Sequence, residues 1–396
     1  MSEAPSFAIR EIELFERPVK LRLPFRFGVV TLTECPQAFV RARIELADGT
    51  SAWGAAAEMM APKWFDKNLD LSNEDNFDQL REVTRLARDA YLGDKTPATA
   101  FGHFARHHDP HQAAARERGF NPLLASYGPA LLDRAVLDAL CRALGISFYT
   151  AIQRNLAGIG LARPEFEGLN VDAFLSKLQP AASIEARHTV GLVDAIDTIA
   201  PEARVNDGLP ETLEEVVRAY GHRYFKLKVG GEIDADLARL GSIASVLDQA
   251  TSPYFASLDG NEQYQDAAGI GELMARIRET PALARLYDSI LFVEQPIARK
   301  HALDVDLTGQ HIGKPVIIDE SDGELDTFVR ARECGYAGVS SKTCKGVYKS
   351  ILNAARCATW NAELQEPRFF MSAEDLTTQA GLAVQQDLAL VNLLGI

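Results

Sequence analysis

The sequence is short of positive charge. Its 41 lysines and arginines face 55 acidic residues, for a formal charge of −14 at pH 7. A surface that negative repels a phosphate backbone, so nucleic acid is not an expected partner. Long apolar runs are missing too: none approaches the roughly 18 residues needed to cross a bilayer. The opening stretch MSEAPSFAIREIELFE has no basic segment followed by an apolar one, so no secretory signal is expected there and the cytoplasm is the expected address. Cysteines number only five (Cys35, Cys141, Cys334, Cys344, Cys357), widely separated and without a CxxC pair. That argues against a disulfide framework or a structural zinc site and fits a reducing compartment. Finally, no GxGxxG follows a strand, VGGEIDAD is not that fingerprint, and neither a P-loop nor a GxSxG elbow occurs.

What is present is a soluble globular balance, 47 % apolar and 24 % charged, over 396 residues. That length exceeds one ordinary core and predicts two domains. The front of the chain reads as α+β. Residues 7–16 and 38–46 alternate as strands, Asp48-Gly49 makes a turn, and Ser51–Gly54 resumes extended chain. PFRFGVVTLTECP between them reads as a loop. From about residue 73 to 145 the pattern is helical, best in PALLDRAVLDALCRALG at 129–145, with Pro at its start and Gly at its end.

After residue 150 short apolar strands alternate with helical stretches: HTVGLV, YFKLKV, FASLD, ILFVEQP, PVIIDES and GVSSK, with FFMS and ALVNLLGI to follow. Strands apolar on both faces and separated by helices mean a parallel sheet covered by helices. Close to eight such strands favour a closed barrel over an open doubly wound sheet. The expected division is an α+β capping domain at 1–148 and a barrel at 149–396.

In a (β/α) barrel the active site gathers at the C-terminal strand ends. Here those ends carry Lys226 and Lys228, Asp259, Glu294, Asp319 with Glu320, and Lys342. Counted from Lys228, successive charges are spaced by 31, 35, 25 and 23 residues, each close to one β-α unit. A charge in an apolar strand is costly to bury unless paired or metal-bound. Asp259, Glu294 and Asp319 converging on one point suit the oxygen coordination of Mg²⁺. Lys228 and Lys342, on strands before and after the carboxylates, could face opposite sides of one substrate carbon.

These features resemble the enolase superfamily, and within it the muconate-lactonizing-enzyme-like group of the mandelate racemase/muconate lactonizing enzyme family. The resemblance rests on K-x-K (Lys226, Lys228), D-x-N (Asp259, Asn261), V-E-Q-P (Glu294), D-E-S (Asp319 to Ser321) and Lys342 with Gly346 after it. It spans nearly the whole chain and implies a modified (β/α)₇β TIM-type barrel under an N-terminal cap. It also implies Mg²⁺ on Asp259, Glu294 and Asp319, and an acid/base pair of Lys228 and Lys342. Lys226 would depress the pKa of Lys228, with Asn261 and Glu320 supporting the ligands. The implied reaction is removal of the α-proton of a small carboxylate substrate, with the enediolate stabilised by the metal. Both lysines being present favours a racemase, epimerase or cycloisomerase, with a dehydratase as the alternative; an assembly as a homo-oligomer is expected. The pattern departs where Gly346 is followed by Val347, and FFMSAEDLTT matches no substrate-reading motif.

Plainer readings stand beside these. Strand-end lysines are usually solvated, Asp259-Gly260 could be a simple turn, and Asp319-Glu320 could serve a helix N-terminus. A catalytically idle metal-binding relative is the rival from another class. Phe27, Trp64, His188 and Glu374 are candidate substrate contacts, although His188 could equally be a hydrogen-bonded core histidine. Met59, Met60, Trp64 and Phe65 could form a lid or domain-interface packing. His103, His107, His108 and His111 could bind a metal on a continuous helix, but Asp109-Pro110 is expected to break it.

Overall fold

The computed structural model describes residues 4–160, 162–374 and 379–396. The chain opens with three antiparallel strands, β1 (Phe7–Phe27), β2 (Val30–Leu46) and β3 (Ser51–Met59), in that order across the sheet. The stretch read as a loop is instead the far end of the β1–β2 ribbon. A register shift between Lys20 and Phe25 absorbs the irregularity, and Gly28, at φ 50°, makes the turn. Three long helices pack behind this sheet: Asn73–Gly93, Ala100–Glu117 and Pro122–Leu144. The first begins in a reciprocal Ser72–Asp75 capping box. Gly54 of β3 lies where a Cβ would meet the Ala139 backbone at 2.1 Å, which lets sheet and helix touch.

Two prolines expected at or near helix ends sit inside helices. Pro129 lies two turns into Pro122–Leu144, and Pro110 lies within Ala100–Glu117. Lacking an N–H, Pro129 leaves the carbonyl of Ala125 without its helical donor. His111 Nε2 donates to that carbonyl at 2.9 Å. His103 likewise bonds the carbonyl of Phe7 at 3.0 Å, and His107 stands beside Asp94. The histidine run therefore continues on one helix, contrary to the expected break, yet its side chains serve packing and do not gather as ligands.

The second half builds a curled parallel sheet of seven strands in sequence order: β4 (Arg187–Val190), β5 (Tyr224–Lys228), β6 (Phe255–Asp259), β7 (Ile290–Glu294), β8 (Val316–Ile318), β9 (Gly338–Ser341) and β10 (Phe370–Ala373). Its helices cover the outer face, and their apolar sides form a core of their own with the strands. ALVNLLGI, expected as an eighth strand, instead belongs to the helix Leu382–Leu394. The reason is spacing: Ala383, Asp387, Leu390 and Leu393 are buried at helical intervals. Among the described residues no ladder joins β4 to β10. The guanidinium of Arg187 in β4 reaches across to the carbonyl of Ala373 in β10 at 2.8 Å.

Candidate active site

Alternation along the strands decides which side chains enter the barrel. In β5, Lys226 and Lys228 point inward while Phe225 and Leu227 join the outer core. Register then levels the ends: Lys228 pairs with Asp259, and Asp259 with Glu294. Beyond these ends the backbone turns sharply through left-handed residues, Asn261 at φ 37°, Glu262 at φ 67° and Gln295 at φ 32°. Such positions cost of order 1–3 kcal/mol each and persist when the surroundings fix them. Gln295 shows how: its Oε1 accepts from the Asp319 and Ser321 amides, and its Nε2 donates to Ser321 Oγ and the Ile297 carbonyl.

The structure brings Lys226, Lys228, Asp259, Glu294, Asp319, Glu320, Asn261 and Lys342 together, all nearly or fully buried. Lys226 Nζ stands 2.8 Å from Asp259 Oδ2, 2.9 Å from Glu294 Oε2 and 2.6 Å from Glu374 Oε2. Lys228 shares Asp259 Oδ2 at 2.5 Å. Lys342 lies 2.7 Å from Asp319 Oδ2 and 2.6 Å from Glu374 Oε2. Asn261 donates to Glu320 Oε1 at 2.9 Å. Glu374, expected as a substrate contact, stands just past β10 and bridges two lysines; residues 375–378 of FFMSAEDLTT lie outside the described residues.

Two cap aromatics complete the constellation. The Phe27 ring centroid is 6.0 Å from Lys228 Nζ, and that of Trp64 is 5.2 Å from Lys342 Nζ. The segment carrying Trp64 is fastened to the barrel: Arg299 donates to the Trp64 and Phe65 carbonyls and pairs with Glu262, which also pairs with Lys67 at 3.1 Å. It is therefore both a cover and an interface. Phe27, Trp64, Lys228, Asn261 and Glu374 line a cavity of about 1300 Å³. His188 also lines that cavity, but its register partner is the outward-facing Phe225 and its ring stacks on His222 at 5.6 Å. It does not join the charged cluster.

Electrostatics follow from this crowding. Burial alone would lower Lys226 and Lys342, but the surrounding carboxylates outweigh it and hold both above the ordinary lysine range. Asp259, Asp319 and Glu374 are held low in return, burial being overcome by the lysines. Glu320 goes the other way: burial, then Asp319, Glu262 and Asp259, push it up to about 8. Sequence reasoning passed over Lys345, which lies 2.8 Å from Asp319 Oδ1. Its signal was a second lysine one turn past Lys342 in KTCK.

The donor chemistry suits a hard divalent cation. Buried Glu294 Oε1 and Glu320 Oε2 accept no hydrogen bond, and oxygens of Asp259, Glu294 and Glu374 lie within 4.8 Å of one another. This trio differs from the expected one at its third member, because Asp319 is turned toward Lys342 and Lys345.

Residues 208–392 match the family described as Enolase C-terminal domain-like. No curated protein matches the chain by sequence. Among solved structures, dipeptide epimerase from Enterococcus faecalis, complexed with Mg and the dipeptide L-Leu-L-Tyr, superposes with a TM-score of 0.64 at 16 % identity, covering 98 % of this chain and 87 % of its own. An enolase from Bradyrhizobium complexed with magnesium and mandelic acid gives 0.61 at 16 %, covering 99 % and 86 %. A mandelate racemase/muconate lactonizing protein from Herpetosiphon aurantiacus gives 0.61 at 17 %, covering 97 % and 86 %. Residues 208–392 thus belong to the Enolase C-terminal domain-like family by sequence, and nearly the whole chain shares the fold of these mandelate racemase/muconate lactonizing enzyme and epimerase structures.

Proposed function

We propose that this protein is a magnesium-dependent enzyme that removes the proton α to the carboxylate of a small substrate, as a racemase or epimerase that returns it on the other face, or as a cycloisomerase. The observation that carries the reading is the placement of two buried lysines, Lys228 and Lys342, on strands four apart in the sheet, with acidic strand ends between them and a cap aromatic over each. The magnesium and carboxylate or dipeptide ligands of the superposed enzymes support it. In this reading residues 1–148 form the cap and 149–396 the catalytic barrel.

Asp259, Glu294 and Asp319 would hold the magnesium. Glu374 is close enough to compete for the third place, but its side chain is 17 % exposed against 1 % for Asp319. It is the member that an incoming substrate carboxylate can displace from the two lysines. Magnesium there supplies positive charge beside the substrate carboxylate, offsetting the charge that builds up as the α-proton leaves. The residues of the chain do the rest. Lys228 or Lys342, as a neutral amine, accepts the α-proton on its own face, and the ammonium on the other face delivers one. Lys226 holds the Asp259 and Glu294 carboxylates in place, while Asn261 and Glu320 brace the far side. Phe27 and Trp64 exclude water above the reacting carbon.

The test is stereochemical. Lys342→Ala should abolish solvent exchange of the α-hydrogen from one enantiomer and leave exchange from the other through Lys228, and Lys228→Ala should show the opposite preference. Equal loss from both enantiomers in both variants would defeat the two-base reading. Slowed turnover without a stereochemical signature would point to a dehydratase or cycloisomerase, in which one lysine is the base and the other an electrostatic clamp.

A further inference from the structure

A second cluster of buried charge lies just behind Lys342 and takes no part in the chemistry described above. Arg134, on the cap helix Pro122–Leu144, is nearly fully buried. Its Nη2 donates to Glu58 Oε2 of β3 at 3.0 Å, and its Nη1 donates to Thr343 Oγ1 at 3.0 Å. Thr343 in turn donates its one hydroxyl proton to Asp387, on the helix Leu382–Leu394. That helix is itself tied to the cap, since Gln386 Nε2 donates to the Ala55 carbonyl of β3 at 2.7 Å. Four segments far apart in sequence therefore converge on a single hydroxyl.

The location of that hydroxyl gives the cluster its meaning. Lys342 is extended, at φ −142° and ψ 136°, and Thr343 opens the tight turn Thr343–Lys345 that follows it. The peptide between Lys342 and Thr343 is thus the pivot on which the Lys342 side chain would swing. Holding Thr343 by its side chain, from the cap on one side and from Asp387 on the other, fixes that pivot. Buried charges this close are costly unless fully paired, so a role in packing alone is a weak reason for them.

We propose that Arg134, Glu58 and Asp387 act through the Thr343 hydroxyl as a positioning relay that aims Lys342 at the reacting carbon and ties that aim to the seating of the cap. The inference rests on the two-lysine reading above. Misplacing a reacting group by about 1 Å costs on the order of 100-fold in rate, so the relay is felt on one face of the substrate only.

Thr343→Val removes the hydroxyl and keeps the shape; Thr343→Ser keeps the hydroxyl. In α-hydrogen exchange with the intact enzyme, Thr343→Val should slow exchange on the Lys342-dependent face by roughly 10- to 100-fold and leave the Lys228-dependent face within about twofold. Thr343→Ser should restore the slowed face. Equal slowing of both faces, or no change in either, overturns the relay. A crystal structure of Thr343→Val gives a readout independent of activity. Lys342 Nζ displaced from Asp319 Oδ2 supports the relay even if the wild-type enzyme exchanges no substrate tried, a result that would count against the two-lysine reading instead. Lys342 Nζ still within hydrogen-bond distance of Asp319 Oδ2 overturns it.

Discussion

Adding magnesium to this site should release protons, and the number follows from its charges. Lys226, Lys228, Lys342 and Lys345 face Asp259, Glu294, Asp319, Glu320 and Glu374 in one buried cluster. At pH 7 Glu320, pushed up to about 8, is protonated. The formal balance is then four positive against four negative. A divalent cation entering a buried, balanced site is accommodated by loss of positive charge elsewhere. Two sources are at hand. Glu320 loses its proton once the neighbouring Asp259 and Asp319 are neutralised, and Lys342 loses its own once its carboxylate partners turn to the metal. One to two protons should therefore leave per magnesium bound. Affinity should rise with pH, by about tenfold per pH unit for each proton released, or about 1.4 kcal/mol. Titration calorimetry between pH 6 and 8, in buffers of different ionisation enthalpy, counts the protons directly. Glu320→Gln should lower the count by about one. Magnesium binding without proton release and with a flat pH dependence would refute this reasoning.

Two further outcomes bear on the residues individually. Asp259→Asn and Glu294→Gln should each lose magnesium binding by calorimetry while circular dichroism shows the fold retained; comparing Asp319→Asn with Glu374→Gln decides the third ligand, and the larger loss is expected in Asp319→Asn. Phe27→Ala and Trp64→Ala should raise KM for a true substrate by more than they weaken magnesium binding, since each ring lies over a lysine at the mouth of the cavity; unchanged kinetic constants would remove the cap from substrate recognition.

The charged strand ends were legible because a lysine or carboxylate inside an apolar strand has few physical uses, and five of them recur at one β-α interval. Where sequence reading failed, an apparently local signal was settled at long range. Pro129 reads as a helix start, yet the helix runs through it, and the distant His111 takes up the carbonyl that Pro129 leaves without a donor. Prolines and glycine made residues 24–36 read as a loop, although a bulged two-stranded ribbon tolerates them. ALVNLLGI is apolar enough for a strand, and its helical burial emerges only with Ala383 and Asp387 ahead of it. The Glu58–Arg134–Thr343–Asp387 cluster has no local pattern at all, since its members come together only in the folded chain.

If this site labilises a proton next to a carboxylate, isotope exchange will reveal it. The wild-type protein with magnesium should be incubated in deuterated water with a panel of α-substituted carboxylates and dipeptides and followed by proton NMR. Magnesium-dependent loss of the α-hydrogen signal is expected for at least one substrate, abolished when Lys228 and Lys342 are both replaced by alanine. Exchange that persists in the double variant, or its absence across the panel from a protein that binds magnesium at Asp259 and Glu294, would contradict it.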